Sequence, residues 1–380
     1  MIYNLIIIKH DVLKVVQSLE RYLLENGADS AFDYYRRPGI ITGPGGSLIA
    51  YYEGQCFHPV KHQSLFCRVS CDGGKSWSER ITLASGGDTG MLHNVMMVSD
   101  GSVIHCLWNV QYRQLWHTQS TDGVHWQAPT DLTRTLWRAD CEYPWNAFGI
   151  GSGHGIVLKS GRILIPTWFT TGGDGHKPSG FGNIYSDDGF RSVRIGAILQ
   201  QDAEHSTIVN PNEGAIVELA DGQVLATVRH DCEQRMRAVS YSSGGTGPWS
   251  CPEYRPDLPD PICHASLQRL GPAEELGFDG ILFSNCANAD EGIAEKKARG
   301  LCKYNWSDDA RKNLTVRFSR DGGRHFSAGI LIDEKGGYSD LAVTQNDVVC
   351  IYETGWQAEL ETCIFPRQLA VARIAKCLLR

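Results

Sequence analysis

Several things are scarce in this 380-residue chain, and each scarcity removes a class of function. No apolar run approaches the roughly 18–20 residues that a membrane-spanning helix needs. The opening "MIYNLIIIKHDV" has no basic leader and no small-residue cleavage site, so the reading expects no signal peptide and a cytoplasmic location. Basic residues are outnumbered, 36 Lys and Arg against 43 Asp and Glu, a formal net charge of −7, which leaves no cationic excess for nucleic acid. Thirteen cysteines, an odd number with no CxxC pair among them, argue against a disulfide framework or a zinc ribbon and suit buried thiols in a reducing compartment. Long helical patterns are missing too. Only Asp11 to Gly27 places Val12, Val15, Val16, Leu19 and Leu23 at helical spacing between an Asp start and an Asn-Gly stop.

Short strand-like runs fill the rest: "GSLIAYY", "SVIHCLW", "GRILIPTWF", "GAIVELADGQVLATV" and "NDVVCIYE", each bounded by Gly, Asp or Asn. A turn recurs among them. "SCDGGKSW" (70–77) returns as "SRDGGRHF" (319–326), and weaker copies stand at "STDGVHW" (120–126), "SDDGF" (186–190) and "SYSSGGTGPW" (240–249), the last with Ser242 read at the Asp position. The Asp can accept backbone N–H bonds, the Gly supplies positive φ, and the closing aromatic can pack under its own hairpin. Copies about 50–80 residues apart indicate a repeated four-stranded unit, hence a β-propeller. The expected fold is all-β, a propeller over 31–380 preceded by a helical extension over 1–30. His117 and His125 have the look of a metal pair, but the repeated turn accounts for their spacing, and neither metal nor cofactor is expected.

This set of turns resembles the Asp-boxes of the exo-α-sialidase (neuraminidase) family, which implies a six-bladed β-propeller, and further segments extend the resemblance from 34 to about 356. "YYRRPGIITGPGGSLIAYYEG" (34–54) is similar to the Arg-Ile-Pro segment, with Arg36 at the arginine, Arg37 at the Ile and Pro38 at the Pro. "NEGAIVELADGQVLATVR" (212–229) matches a Glu followed one hairpin later by an arginine, hence Glu213 and Arg229. "ARKNLTVRFSRDGG" (310–323) places the third arginine at Arg311. "GGYSDLAV" (336–343) and "CIYETG" (350–355) resemble the nucleophile segment, with Tyr338 as nucleophile and Glu353 bracing the first arginine.

The resemblance implies an exo-sialidase-like glycoside hydrolase acting on a sialylated glycan or another acidic-sugar glycoside, Kdn and Kdo included. Three guanidiniums suit the anomeric carboxylate of such a sugar, and a neutral phenol attacks beside it without charge repulsion. One family element is missing. Between Gly54 and the first Asp-box there is no Asp or Glu to serve as general acid, and Gln55 stands where relatives often have Arg. His58 and His62 are the candidate substitutes, with Asp88 and Glu142 as alternatives from other loops. A non-hydrolytic, lectin-like propeller is the competing expectation.

Overall fold

A computed structural model of the chain describes residues 19–56, 62–86, 91–139, 141–172, 176–201, 208–289, 310–360 and 363–379. Six antiparallel sheets form the six blades of a propeller. Blade 1 runs Tyr34–Thr42, Leu48–Cys56, His62–Ser70 and Ile81–Gly86, each strand pairing with the next. Blades 2, 4 and 5 repeat that order, beginning at Leu92–Ser99, Gly214–Glu218 and Ser266–Arg269. In blade 3 the inner position is split between Ala147–Ile150 and Ile156–Val157, both paired with Ile163–Thr170. The first strands of neighbouring blades touch one another around the axis. Between blades lie apolar layers, such as Ile49, Leu65 and Val69 of blade 1 against Val95, Met97 and Ile104 of blade 2.

Blade 6 closes the ring with sequence from both ends of the chain. Ser339–Val343, Asp347–Leu360 and Cys363–Ala375 supply three strands, and Leu19–Asn26 supplies the fourth, Leu19 opposite Ile374 and Asn26 opposite Gln368. This corrects the expected helix over its second half; Asp11 to Ser18 lie outside the described residues. The open edge of Cys363–Ala375 offers a full ladder of backbone partners, a tertiary gain that outweighs the four-residue spacing of Leu19 and Leu23. Leu23, assigned to the apolar face of the expected helix, is 50% exposed. The closing strand is latched to blade 1 by the buried Glu25, which accepts from Tyr52 and, at 2.7 Å, from Arg68 Nε.

The recurring turns do what their composition suggests. Asp72 Oδ1 accepts from the Lys75 and Ser76 amides at 2.9 Å, and Asp122, Asp188 and Asp321 repeat the pattern toward His125, Ser192 and His325. In 240–249 the assignment shifts: Ser242 bridges to Trp249 as Ser120 does to Trp126, so Ser242 matches the leading Ser and Gly244 holds the Asp position. The aromatics also reach beyond their own hairpins. Trp77 Nε1 donates to Tyr22 of the closing strand at 2.8 Å, and Trp249 Nε1 to the Ala197 carbonyl, so these turns stitch blade to blade. His125 faces Asp122 while His117 faces His105, and the two do not share a site.

Candidate functional site

Strand direction decides where the candidate residues meet. Glu213, Tyr338 and Arg311 each immediately precede a strand that starts at one mouth of the axis, and Arg229 and Glu353 lie opposite the first two across their hairpins. At that mouth the Tyr338 hydroxyl lies 2.6 and 2.8 Å from the two Glu213 carboxylate oxygens, and Arg229 Nη1 donates to it at 2.9 Å. Arg229 Nη1 also donates to Glu213 Oε2 at 2.5 Å. The Arg311 guanidinium carbon stands over the phenol ring, 5.1 Å from its centre. Arg36 Nε is 3.5 Å from Glu353 Oε1, while Glu353 Oε2 accepts the Tyr338 amide at 3.1 Å. Six residues from blades 1, 4, 5 and 6 thus form one cluster.

Arg37 joins them, a residue assigned by sequence to the Ile position. Consecutive residues in a strand point to opposite faces, so Arg36 and Arg37 should not both reach the mouth. A break in the ladder between Arg36 and Gly39, with Arg37 at φ +48°, removes that constraint. The Arg37 amide donates to Glu353 Oε1 at 2.9 Å and its guanidinium to Glu53 Oε2 at 2.8 Å. Glu53 also accepts from Gln55 and from the Asn94 amide. Only the doubled arginine in "YYRRPG" hinted at this.

Electrostatics separate the pair at the centre. Burial alone would raise the Glu213 carboxyl, but Arg229, then His264, the Tyr338 hydrogen bond and Arg37 hold it down at about 2. Burial and Glu213 push the Tyr338 phenol up, against the pull of Arg229 and Arg311. The ground state therefore holds its proton on the phenol, facing a carboxylate. Beneath lies Asp340, fully buried, accepting from Ser266 at 2.6 Å, from His154 at 2.8 Å and from the Ile40 amide at 2.9 Å. Beside Arg37 a wall of His93, Tyr112, Trp168 and His176 stacks ring on ring, His93 to Tyr112 at 4.1 Å.

Of the proposed general acids, the two among the described residues, His62 and Glu142, do not enter this cluster. His62 donates from Nδ1 to the Gly86 carbonyl at 3.1 Å, and its ring lies against Phe32. His58 and Asp88 lie outside the described residues, and Glu142 is exposed on its loop. A cavity of about 220 Å³ opens at the opposite mouth, lined by Thr42, Ser99, His154, Glu218 and Arg269, and contains none of the candidate residues.

Residues 107–351 match the family described as the BNR repeat-like domain. The chain is 26% identical to a sialidase of Micromonospora viridifaciens, over 88% of this chain and 52% of that protein. It is also 26% identical to Sialidase-3 of Mus musculus, over 64% of each. It thus spans about half the length of the first relative and under two thirds of the second. Among solved structures, the Hadza microbial sialidase Hz136 superposes with a TM-score of 0.72 at 22% identity, covering 94% of this chain and 69% of that one. A Trypanosoma rangeli sialidase in complex with the inhibitor DANA gives 0.68 at 15% identity, covering 93% and 59%. These likenesses carry the propeller fold.

Proposed function

The chain belongs to the BNR repeat-like domain family, and from that premise we propose that it is a glycoside hydrolase of exo-sialidase type. It releases a terminal sialic acid, or a related 2-keto-3-deoxy acid such as Kdn or Kdo, from a glycan with retention of configuration. The observation that carries this reading is the Tyr338 hydroxyl held on Glu213 with Arg229 beside it. Arg36, Arg229 and Arg311 grip the sugar carboxylate, the phenolic oxygen bonds to the anomeric carbon as Glu213 takes its proton, and the glycosidic C–O bond breaks so that the aglycone leaves with its oxygen protonated from water. An acceptor held at about 2 is too weak a base for that task in the empty site. The bound carboxylate corrects this, because an anion sharing Arg229 weakens its hold on Glu213 and raises the carboxyl's basicity just as attack begins. Water then releases the sugar from Tyr338. The free thiols of the described cysteines, six of eleven of them buried, favour the cytoplasm as its location.

A second reading rests on the segment that follows Gly54, which offers no carboxylate to protonate a leaving group. On that reading the mouth binds an acidic sugar and does not cleave it. Turnover of an aryl sialoside separates the two, since its leaving group needs no acid. The hydrolase reading expects aryl sialoside cleavage that Tyr338→Phe abolishes; binding of the unsaturated sialic acid analogue with no cleavage of either glycoside would establish the binder.

A further inference from the structure

His264 has no place in the sequence reading and no step of the proposed reaction assigns it a role. It sits just before the innermost strand of blade 5, and no part of it reaches the surface. Its ring lies 5.3 Å from that of Tyr338, tilted by 39°. Neither ring nitrogen has a hydrogen-bond partner among the described residues. Leaving such a group buried costs about 1–3 kcal/mol, so its retention calls for an explanation. The ring is accommodated by shape. A methyl group on Gly153 would stand 3.0 Å from His264 Nε2 and 3.3 Å from Asp340 Oδ1, at a backbone φ of +82° that disfavours side chains in any case.

The charges around it come from every side of the axis: Glu213 of blade 4, Asp340 and Glu353 of blade 6, and Arg237 of blade 4. Burial drives the proton off, the three carboxylates draw it back and Arg237 opposes them; the balance is about 4, so the imidazole is neutral near pH 7. A protonated ring would rank next to Arg229 in its pull on Glu213.

We propose that His264 is a positioning residue for Tyr338: an uncharged floor beneath the phenol, which on protonation takes Glu213 as its own partner and stops the transfer of the phenolic proton. The proposal rests on Tyr338 and Glu213 being nucleophile and base. In the neutral state the ring fixes the phenol's tilt without competing for its hydrogen bond. In the charged state the cation is one of the groups that hold the Glu213 carboxyl down, and turnover falls while the arginines still hold the sugar carboxylate.

The test uses an aryl sialoside with the full chain, in pH-jump assays read within seconds from pH 8 down to 3.5, on wild type, His264→Gln and Tyr338→Phe. With ionisation near 4 in the unliganded site, wild-type kcat/KM at pH 3.5 is about a quarter of its plateau. His264→Gln, whose acid limb is left to Glu213, keeps a larger share of its kcat/KM plateau at that pH than wild type does. Its KM changes less than about threefold, while its kcat near pH 7 drops about tenfold from lost positioning. An unshifted acid limb in His264→Gln, or a KM that rises as much as kcat falls, overturns the proposal. Should His264→Gln fail to fold, the imidazole proton resonance of wild type is followed against pH: titration coinciding with the kinetic limb supports the proposal, and titration elsewhere overturns it. Activity surviving in Tyr338→Phe overturns the nucleophile reading itself, and with it the role of His264; an inactive Tyr338→Phe beside an unshifted His264→Gln overturns only the latter.

Discussion

Replacing Glu213 by Gln removes one negative charge and leaves the shape of the site almost unchanged. The amide oxygen can still accept from Tyr338, so the phenol keeps its place. What disappears is the proton acceptor. General-base catalysis contributes about 10²–10⁴ in rate, and Glu213 is 6% exposed, which restricts access of bulk solvent to its place. The same change strips Arg229 of the carboxylate its Nη1 touches, at 15% side-chain exposure. Breaking a fully buried pair costs about 3–5 kcal/mol; because Arg229 retains Tyr338 and faces the open mouth, about 2 kcal/mol of folding stability is the expected loss. Three measurements on one preparation test this: aryl sialoside turnover, the Kd of the unsaturated sialic acid analogue, and urea denaturation. Turnover should fall at least a hundredfold, stability by the amount above, and analogue affinity hold or improve, since Arg229 is released toward the ligand. A variant that keeps a third of wild-type turnover, or that loses analogue binding in step with activity, refutes the assignment of Glu213 as base.

Arg36→Ala removes one guanidinium from the carboxylate clamp, and a charged hydrogen-bond pair worth about 1.5–3 kcal/mol predicts a ten- to hundredfold weaker Kd for the analogue by calorimetry. Glu25→Ala removes the acceptor of the buried Tyr52 hydroxyl and of the half-buried Arg68 Nε at the ring closure, and should cost about 2 kcal/mol in denaturant unfolding while leaving KM unchanged. Burial and then His105 hold the His117 imidazole down to about 4, whereas the unfolded ring takes a proton near 6.5. The unfolded chain therefore binds more protons between those values: this contribution is complete above about 6.5 and is lost as pH falls toward 4, at most about 3 kcal/mol. Thermal melts across that range should show the loss, and His117→Gln should flatten it.

The propeller was legible because its signals are local and repeated. An Asp that folds back on two amides, a Gly at positive φ and a closing aromatic need only eight residues, and five copies set the blade count within reach. Ser242 was misplaced because, without the Asp, two serines compete for one register. Leu19–Asn26 was read as helix because its partner strand lies some 350 residues away, and no window of sequence contains both. The cluster at the mouth was legible where a residue sits beside a turn of recognisable composition, as Tyr338 and Glu213 do. Arg37 was hidden by an alternation rule that its own φ breaks. His264, Asp340 and His154 were hidden for another reason: their meaning lies in contacts across the axis, between segments from three blades.

One consequence of the charge arrangement bears on how any ligand must bind. Arg36 faces Glu353, Arg37 faces Glu53 and Arg229 faces Glu213, each contact within 3.5 Å, so the guanidiniums do not stand as a bare cationic funnel. An anion meeting only one of them would have to compete with a fixed carboxylate at close range, and would gain little. On the proposed function, a carboxylate on the axis would be shared by Arg36, Arg229 and Arg311, its two oxygens divided among three forks, with the existing pairs kept. Selectivity for one compact anion over a diffuse polyanion follows from that geometry. Because these pairs are largely buried, affinity for such a ligand should change less than about threefold between 50 and 500 mM salt. A steep salt dependence would mean that the anion is held by surface charge, away from Tyr338.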